Sequence, residues 1–113
     1  HSVGGSVLFR YLCEAPVEVS VTGLFAIAAP FWGADDFWDW DEARLPEGAA
    51  EKLAAVPRVV LYHARDDEVV PFAHLDLHAA RLPQAVMRPI DAGGHQFSND
   101  LSSVARDIAD VAG

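Results

Sequence analysis

The sequence predicts an α/β domain with about three parallel strands flanked by helices. Three observations lead there. Short apolar-rich runs recur at residues 23–31, 58–64 and 85–92, as in strands buried within a parallel sheet. Stretches with apolar residues at helical spacing lie before, between and after them. The two kinds alternate along the chain, which implies right-handed crossovers onto one sheet.

The first helix is read from "GGSVLFRYLCEA", with Val7, Leu8, Tyr11 and Leu12 at helical spacing and Pro16 as its stop. Cys13, the single cysteine, excludes an internal disulfide and reads as buried filler. "GLFAIAAPF" is the first strand, an unbroken apolar run ending at Pro30. The alanine-rich "PEGAAEKLAAV" is a helix with Pro46 near its start. "RVVLYHA" is a strand rich in β-branched residues. "PFAHLDLHAARL" is a helix with Pro71 in its first position and Phe72, Leu75, Ala79 and Leu82 as its inner stripe. "AVMRPIDA" is the third strand, and Pro89 inside it points to a sheet edge or a strand end. "SNDLSSVARDIADVA" closes the chain as a helix with Leu101, Val104, Ile108 and Val111 facing inward.

At 113 residues the chain is read as a single domain, 1–113, with no internal repeat. Its 8 basic and 17 acidic side chains give a formal net charge of −9. Such a surface repels phosphates and argues against nucleic acid as a partner. No apolar run reaches the roughly 20 residues that a membrane span needs. With no secretory signal either, the expected location is cytoplasmic.

The candidate chemistry lies at the strand ends. A serine hydroxyl needs a base within hydrogen-bond reach and donors for an oxyanion. In "HSVGGS" the small residues after Ser2 allow a sharp turn into a helix. Gly4 would permit close backbone approach, and Gly5 would let the helix pack on its neighbour. The Val3 N–H then sits at the helix N-terminus. Acids follow the second strand in "RDDEVVPFAH", and "GGHQF" holds His95 after the third. Carboxyl ends of parallel strands are where open α/β sheets place their sites.

"HSVGG", "HARDDEVVP" and "GGHQF" together resemble the α/β-hydrolase superfamily, whose triad runs Ser, Asp, His along the chain. The nearest likeness is to small serine esterases with little or no cap domain, such as the retinoblastoma-binding serine hydrolases. The family pattern His-Gly-x-x-Asp-x-x-Val-Pro reads here as His63 to Pro71, with Ala64 in place of glycine. The resemblance implies Ser2 as nucleophile, His95 as general base and acid, Asp67 as orienter of the imidazole, and the Val3 N–H as oxyanion donor. Asp66 is a competing acid beside it. His1 stands where family members often carry histidine. The resemblance also implies a small ester or other acyl substrate, with no metal or organic cofactor.

The elbow's usual glycine two positions before Ser2 and its preceding strand do not appear in the sequence, nor does the family's upstream oxyanion loop. The expectation is therefore a partial α/β-hydrolase fold with the N-terminal half of the sheet missing. Its exposed sheet edge would invite self-association. The alternatives are a catalytically silent hydrolase fragment and a small binding domain.

All three tryptophans lie in the aromatic-acidic loop 31–46, "FWGADDFWDWDEARLP". Phe31, Trp32 and Trp38 are candidate substrate-binding residues, forming a lid or acyl-pocket wall. The competing reading packs the tryptophans on the sheet edge with the acids solvated. The acids do not match the spacing of an EF-hand loop. His74 and His78 have the i, i+4 spacing of a metal pair, but no Cys or Glu completes a set, so a solvated helix face is expected. His63 is read as structural.

Overall fold

Three strands, β1 (Leu24–Ile27), β2 (Val59–Ala64) and β3 (Val86–Ile90), form one parallel sheet in the order β1-β2-β3. A computed structural model describes residues 1–14 and 20–112, so the expected stop at Pro16 lies outside the described residues. The helices are α1 (Val3–Glu14), α2 (Ala49–Lys52), α3 (His74–Arg81) and α4 (Ser102–Ala112). Short 3-10 turns occur at Asp41–Ala43 and Phe97–Asn99.

The pleat divides the core. Leu24, Ala26, Val59 and Leu61 face a cluster with Phe9, Leu53, Leu75 and Leu82. Ile27, Val60, Tyr62 and Ala64 face Phe97 and Val104 on the other side. Every residue of β2 is buried, which fits its mostly apolar, β-branched sequence. Pro89 lies on an edge strand, as expected. Ile90 O accepts the Arg65 N–H from the β2 side. Strand alternation therefore turns Pro89 outward, where its missing N–H interrupts no bond to β2.

The helices differ from expectation in their faces or their boundaries. In α1 the buried residues are Gly5, Ser6 and Phe9, with Leu12 and Cys13 half-buried against them. Val7, Leu8 and Tyr11 are exposed, Tyr11 by 64%. Gly5 sets this rotation: a Cβ there would stand 2.9 Å from the Ala29 Cβ, so the helix turns its barest position toward the sheet. Gly4 has no atom within 4 Å of where its Cβ would be, so it makes no close approach. Burial pushes the Cys13 thiol pKa up.

The alanine-rich helix shortens to the four residues of α2, after Gly48 in the left-handed region with φ of 70°. Leu53 ends it by entering the core fully buried, so tertiary burial overrides alanine's helix propensity. In α4 Val104 is buried and Val111 half-buried, while Leu101 and Ile108 are half-exposed. This helix is held by a polar anchor as well: the Tyr62 hydroxyl donates to Asp107 Oδ2 at 2.6 Å. α3 begins at His74, three residues after the Pro71 expected in its first position; Leu75 is buried and Ala79 half-buried within it, while Phe72 and Leu82 pack inward from just outside its ends.

Candidate active site

Ser2 enters α1 with φ of 55°, in the left-handed region that a non-glycine residue occupies only under constraint. The constraint is visible. Its N–H donates to Ile27 O at the end of β1 at 2.7 Å, and its carbonyl accepts the Gly5 N–H at 2.9 Å. Val3 is the first residue of α1, so its N–H has no acceptor within the helix.

Asp67 lies three residues past β2. One carboxylate oxygen, Oδ1, accepts the N–H groups of Val69 and Val70, each at 2.8 Å. The other, Oδ2, faces His95 Nδ1 at 2.9 Å. The side chain is 0% exposed. Burial pushes its pKa up, but the bonds from His95, Val69 and Val70 outweigh this and hold the carboxyl below its ordinary value. His63 Nε2 lies 3.2 Å from Oδ2 and bonds Val70 O at 2.9 Å. That buried His63 is structural agrees with the expectation.

His95 follows β3 and is buried. An ionised carboxylate only accepts, so Nδ1 carries the proton toward Asp67. Nε2 of the neutral ring is then free to accept from Ser2 Oγ, which stands 3.0 Å away. The structure thus brings Ser2, His95 and Asp67 into one hydrogen-bonded row. His1 tilts its ring over His95 at 4.8 Å and reaches His95 O at 2.8 Å with Nε2.

Sequence reasoning missed the residues that hold this row. Asp66, read as a competing acid, instead accepts Gly94 N–H at 2.8 Å and Gly93 N–H at 3.3 Å. Glu68 accepts the His95 N–H at 3.1 Å. Phe97, Ser98 and Asn99 all have positive φ, and Phe97 is buried in the core beneath. Ser98 N–H closes this left-handed turn on Gly93 O at 2.8 Å. No sequence signal separates Asp66 and Glu68 from solvated acids, since an exposed acid meets water or a backbone N–H equally well.

The fold agrees with known proteins. It superposes on the ydeN gene product from B. subtilis with a TM-score of 0.78 at 18% identity, covering 98% of this chain and 62% of that one. It also superposes on MGS-M1, an α/β hydrolase enzyme from a Medee basin deep-sea metagenome library, with a TM-score of 0.56 at 16% identity, covering 96% of this chain and 48% of that one. The chain carries part of an α/β-hydrolase fold. It spans less than two thirds of the length of either neighbour. No protein-family model and no curated protein matches it.

In this partial α/β-hydrolase fold, Ser2, Asp67 and His95 gather at the carboxyl edge of the sheet, where such sheets bind ligands. The aromatic-acidic loop 31–46 leaves β1 beside them and folds on itself. Trp32 meets Trp38 at 5.5 Å and Trp40 at 5.7 Å between ring centroids. Phe31, Trp32 and Trp38 are half-buried, while Phe37 is exposed. The clefts lined by Phe31 and Trp32 run past Ser6 and His78, and past Arg10 and Arg44, and include neither Ser2 nor His95. The acids serve the loop: Asp35 caps Phe37 and Trp38 N–H, and Asp39 bonds Arg44.

The solvated face expected for His74 and His78 is corrected. They are 3% and 4% exposed and dock the aromatic loop onto α3. His74 Nδ1 accepts the Phe31 N–H at 2.9 Å and its ring meets Trp38 edge-on. His78 Nε2 donates to Ala29 O at 3.2 Å. Burial lowers the pKa of both, that of His78 to about 4. Phe31 and Trp38 packing on this face explain why polar spacing misled. Among the described residues no cluster of three His, Cys, Asp or Glu side chains could hold a metal ion, and no helix is long and apolar enough to cross a membrane.

Proposed function

We propose that the protein is a serine hydrolase acting on a carboxylic ester or related acyl substrate. The single observation that carries this reading is the unbroken row from Ser2 Oγ through His95 to buried Asp67, at 3.0 and 2.9 Å. In the proposed reaction Ser2 Oγ attacks the substrate carbonyl while His95 Nε2 takes its proton. The oxyanion accepts from Val3 N–H, at the positive end of α1. His95 returns the proton to the leaving group as the carbon–oxygen bond breaks, leaving an acyl-Ser2. Water, deprotonated by His95, then attacks the acyl carbon, and His95 returns that proton to Ser2 Oγ as its bond to the acyl group breaks and the acid leaves. Asp67 fixes the Nδ1–H tautomer and stabilises the imidazolium. Phe31, Trp32 and Trp38 are proposed to face the acyl group, supported by their place in the loop that follows β1, whose last residue Ile27 accepts the Ser2 N–H.

Two further parts of the reading concern surroundings. The cytosol is the proposed location. Self-association is proposed along the outer edge of β1, which among the described residues pairs with β2 on one side only.

Intact-mass analysis after treatment with a fluorophosphonate probe tests the chemistry. The expected result is a single adduct on the wild-type chain that Ser2→Ala lacks. A folded wild-type chain without an adduct overturns the proposal and leaves a catalytically silent hydrolase fold.

A further inference from the structure

Three consecutive acids, Asp66, Asp67 and Glu68, face three consecutive residues, Gly93, Gly94 and His95. Asp67 takes the imidazole, as described above. Its two neighbours take the backbone. Asp66 Oδ1 and Oδ2 accept the N–H groups of Gly94 and Gly93, and Glu68 Oε2 accepts that of His95. We propose that Asp66 and Glu68 are positioning residues that set the register of the His95 loop and so place the imidazole between Asp67 and Ser2. The inference rests on the hydrolase reading only for what that imidazole does.

The chemistry of the two loops favours this role over solvated charge. Gly93 and Gly94 have φ of 129° and 65°, conformations open to glycine and costly to order from a free chain. Successive N–H groups in such a turn converge into an anion-binding concavity. Asp66 and Glu68 fill it from the loop that carries Asp67. The fit is close: a Cβ on Gly94 would stand 2.7 Å from Glu68 Oε2. Among the described residues neither Asp66 nor Glu68 forms an ion pair, and the nearby Arg65 pairs with Asp91 instead. Both carboxylates take their backbone donors from the glycine loop and from His95 itself.

The proton on His95 Nδ1 reports the placement directly, because a well-seated imidazole shields it from exchange with solvent. Its exchange rate in the full 113-residue chain is measured by nitrogen-edited proton NMR, with fold checked by circular dichroism. Glu68→Ala, which loses one hydrogen bond, is expected to speed exchange about fivefold, and Asp66→Ala, which loses two, more than that. Glu68→Gln, which keeps an acceptor oxygen, is expected to restore near wild-type exchange. Fluorophosphonate labelling of Ser2 should slow in the same order. Unchanged exchange in both alanine variants overturns the inference. If Asp66→Ala loses the fold, Glu68→Ala decides alone, with the same two outcomes. A wild-type chain that resists the probe yet shows the exchange pattern rejects the hydrolase reading and upholds this one.

Discussion

A serine held at φ of 55° costs about 1–3 kcal/mol of backbone strain, and at Ser2 that strain aims Oγ at His95 Nε2. The remaining geometry follows from Asp67. Its carboxylate is unexposed and kept ionised by two backbone donors and the His95 Nδ1–H. Asp67→Asn offers an amide that can present N–H to the ring and so favours the wrong tautomer. The expected result is a fall in the probe-labelling rate of roughly three to four orders of magnitude with the fold retained, read from a mass-spectrometric time course. Equal labelling of Asp67→Asn and wild type would remove Asp67 from the proposed mechanism. Turn residues mark strand ends and helix starts, which is where Ser2, the acids 66–68 and His95 were expected, and only the family resemblance singled out Asp67 among those acids. The roles of Asp66 and Glu68 were not legible, because an exposed acid beside a site looks the same in sequence whether it meets water or a backbone N–H.

Strands were more legible than helices. β2 is buried on both faces, so its composition states its place, and Pro89 marks the outward side of β3. A helix has a face to choose, and its own apolar pattern does not decide the choice. Gly5 decides it for α1 by allowing contact with Ala29, and the aromatic loop decides it for α3 by covering His74 and His78. The buried histidines give α3 a pH-dependent cost. His78 has its folded pKa lowered from the ordinary 6.5 to about 4, chiefly by burial. The unfolded chain therefore binds a proton at this site before the folded chain does. Stability is unaffected above 6.5, falls as pH drops from 6.5 toward 4, and loses roughly 3 kcal/mol across that window from this group. His74 acts in the same direction. Asp67, also lowered, adds its own loss only as pH falls below the ordinary aspartate value. His78→Gln keeps a donor for Ala29 O and cannot titrate. Denaturant melts at pH 7, 5.5 and 4.5 are expected to show a flatter stability profile for this variant than for wild type. Parallel profiles would assign the acid sensitivity elsewhere.

At the scale of the whole molecule, the outer edge of β1 beside Ser2 carries no paired strand among the described residues. Leu24 N–H and Ala28 N–H point to the β2 side, so alternation turns the backbone of Phe25 and Ile27 outward. The Ile27 carbonyl is taken by Ser2, which occupies the place of a neighbouring strand for a single bond. Above this edge α1 exposes Val3, Val7, Leu8 and Tyr11 together. An open parallel edge beside an apolar helix face is a surface that globular chains cover, by strand pairing, by burial or by another copy. The net charge of −9 opposes association at low salt and is screened as salt rises. These two terms make a joint prediction for sedimentation velocity of the 113-residue chain. Wild type should shift from monomer to larger species as concentration rises, and more readily at 0.5 M than at 0.05 M salt. Leu8→Lys with Tyr11→Lys places two charges on the exposed face without touching Gly5, Ser6 or Phe9, and should stay monomeric under both conditions. A wild-type chain that remains monomeric at high concentration and high salt would show that the β1 edge and α1 face do not drive self-association. Salt-independent association that survives the double substitution would place the contact on another surface.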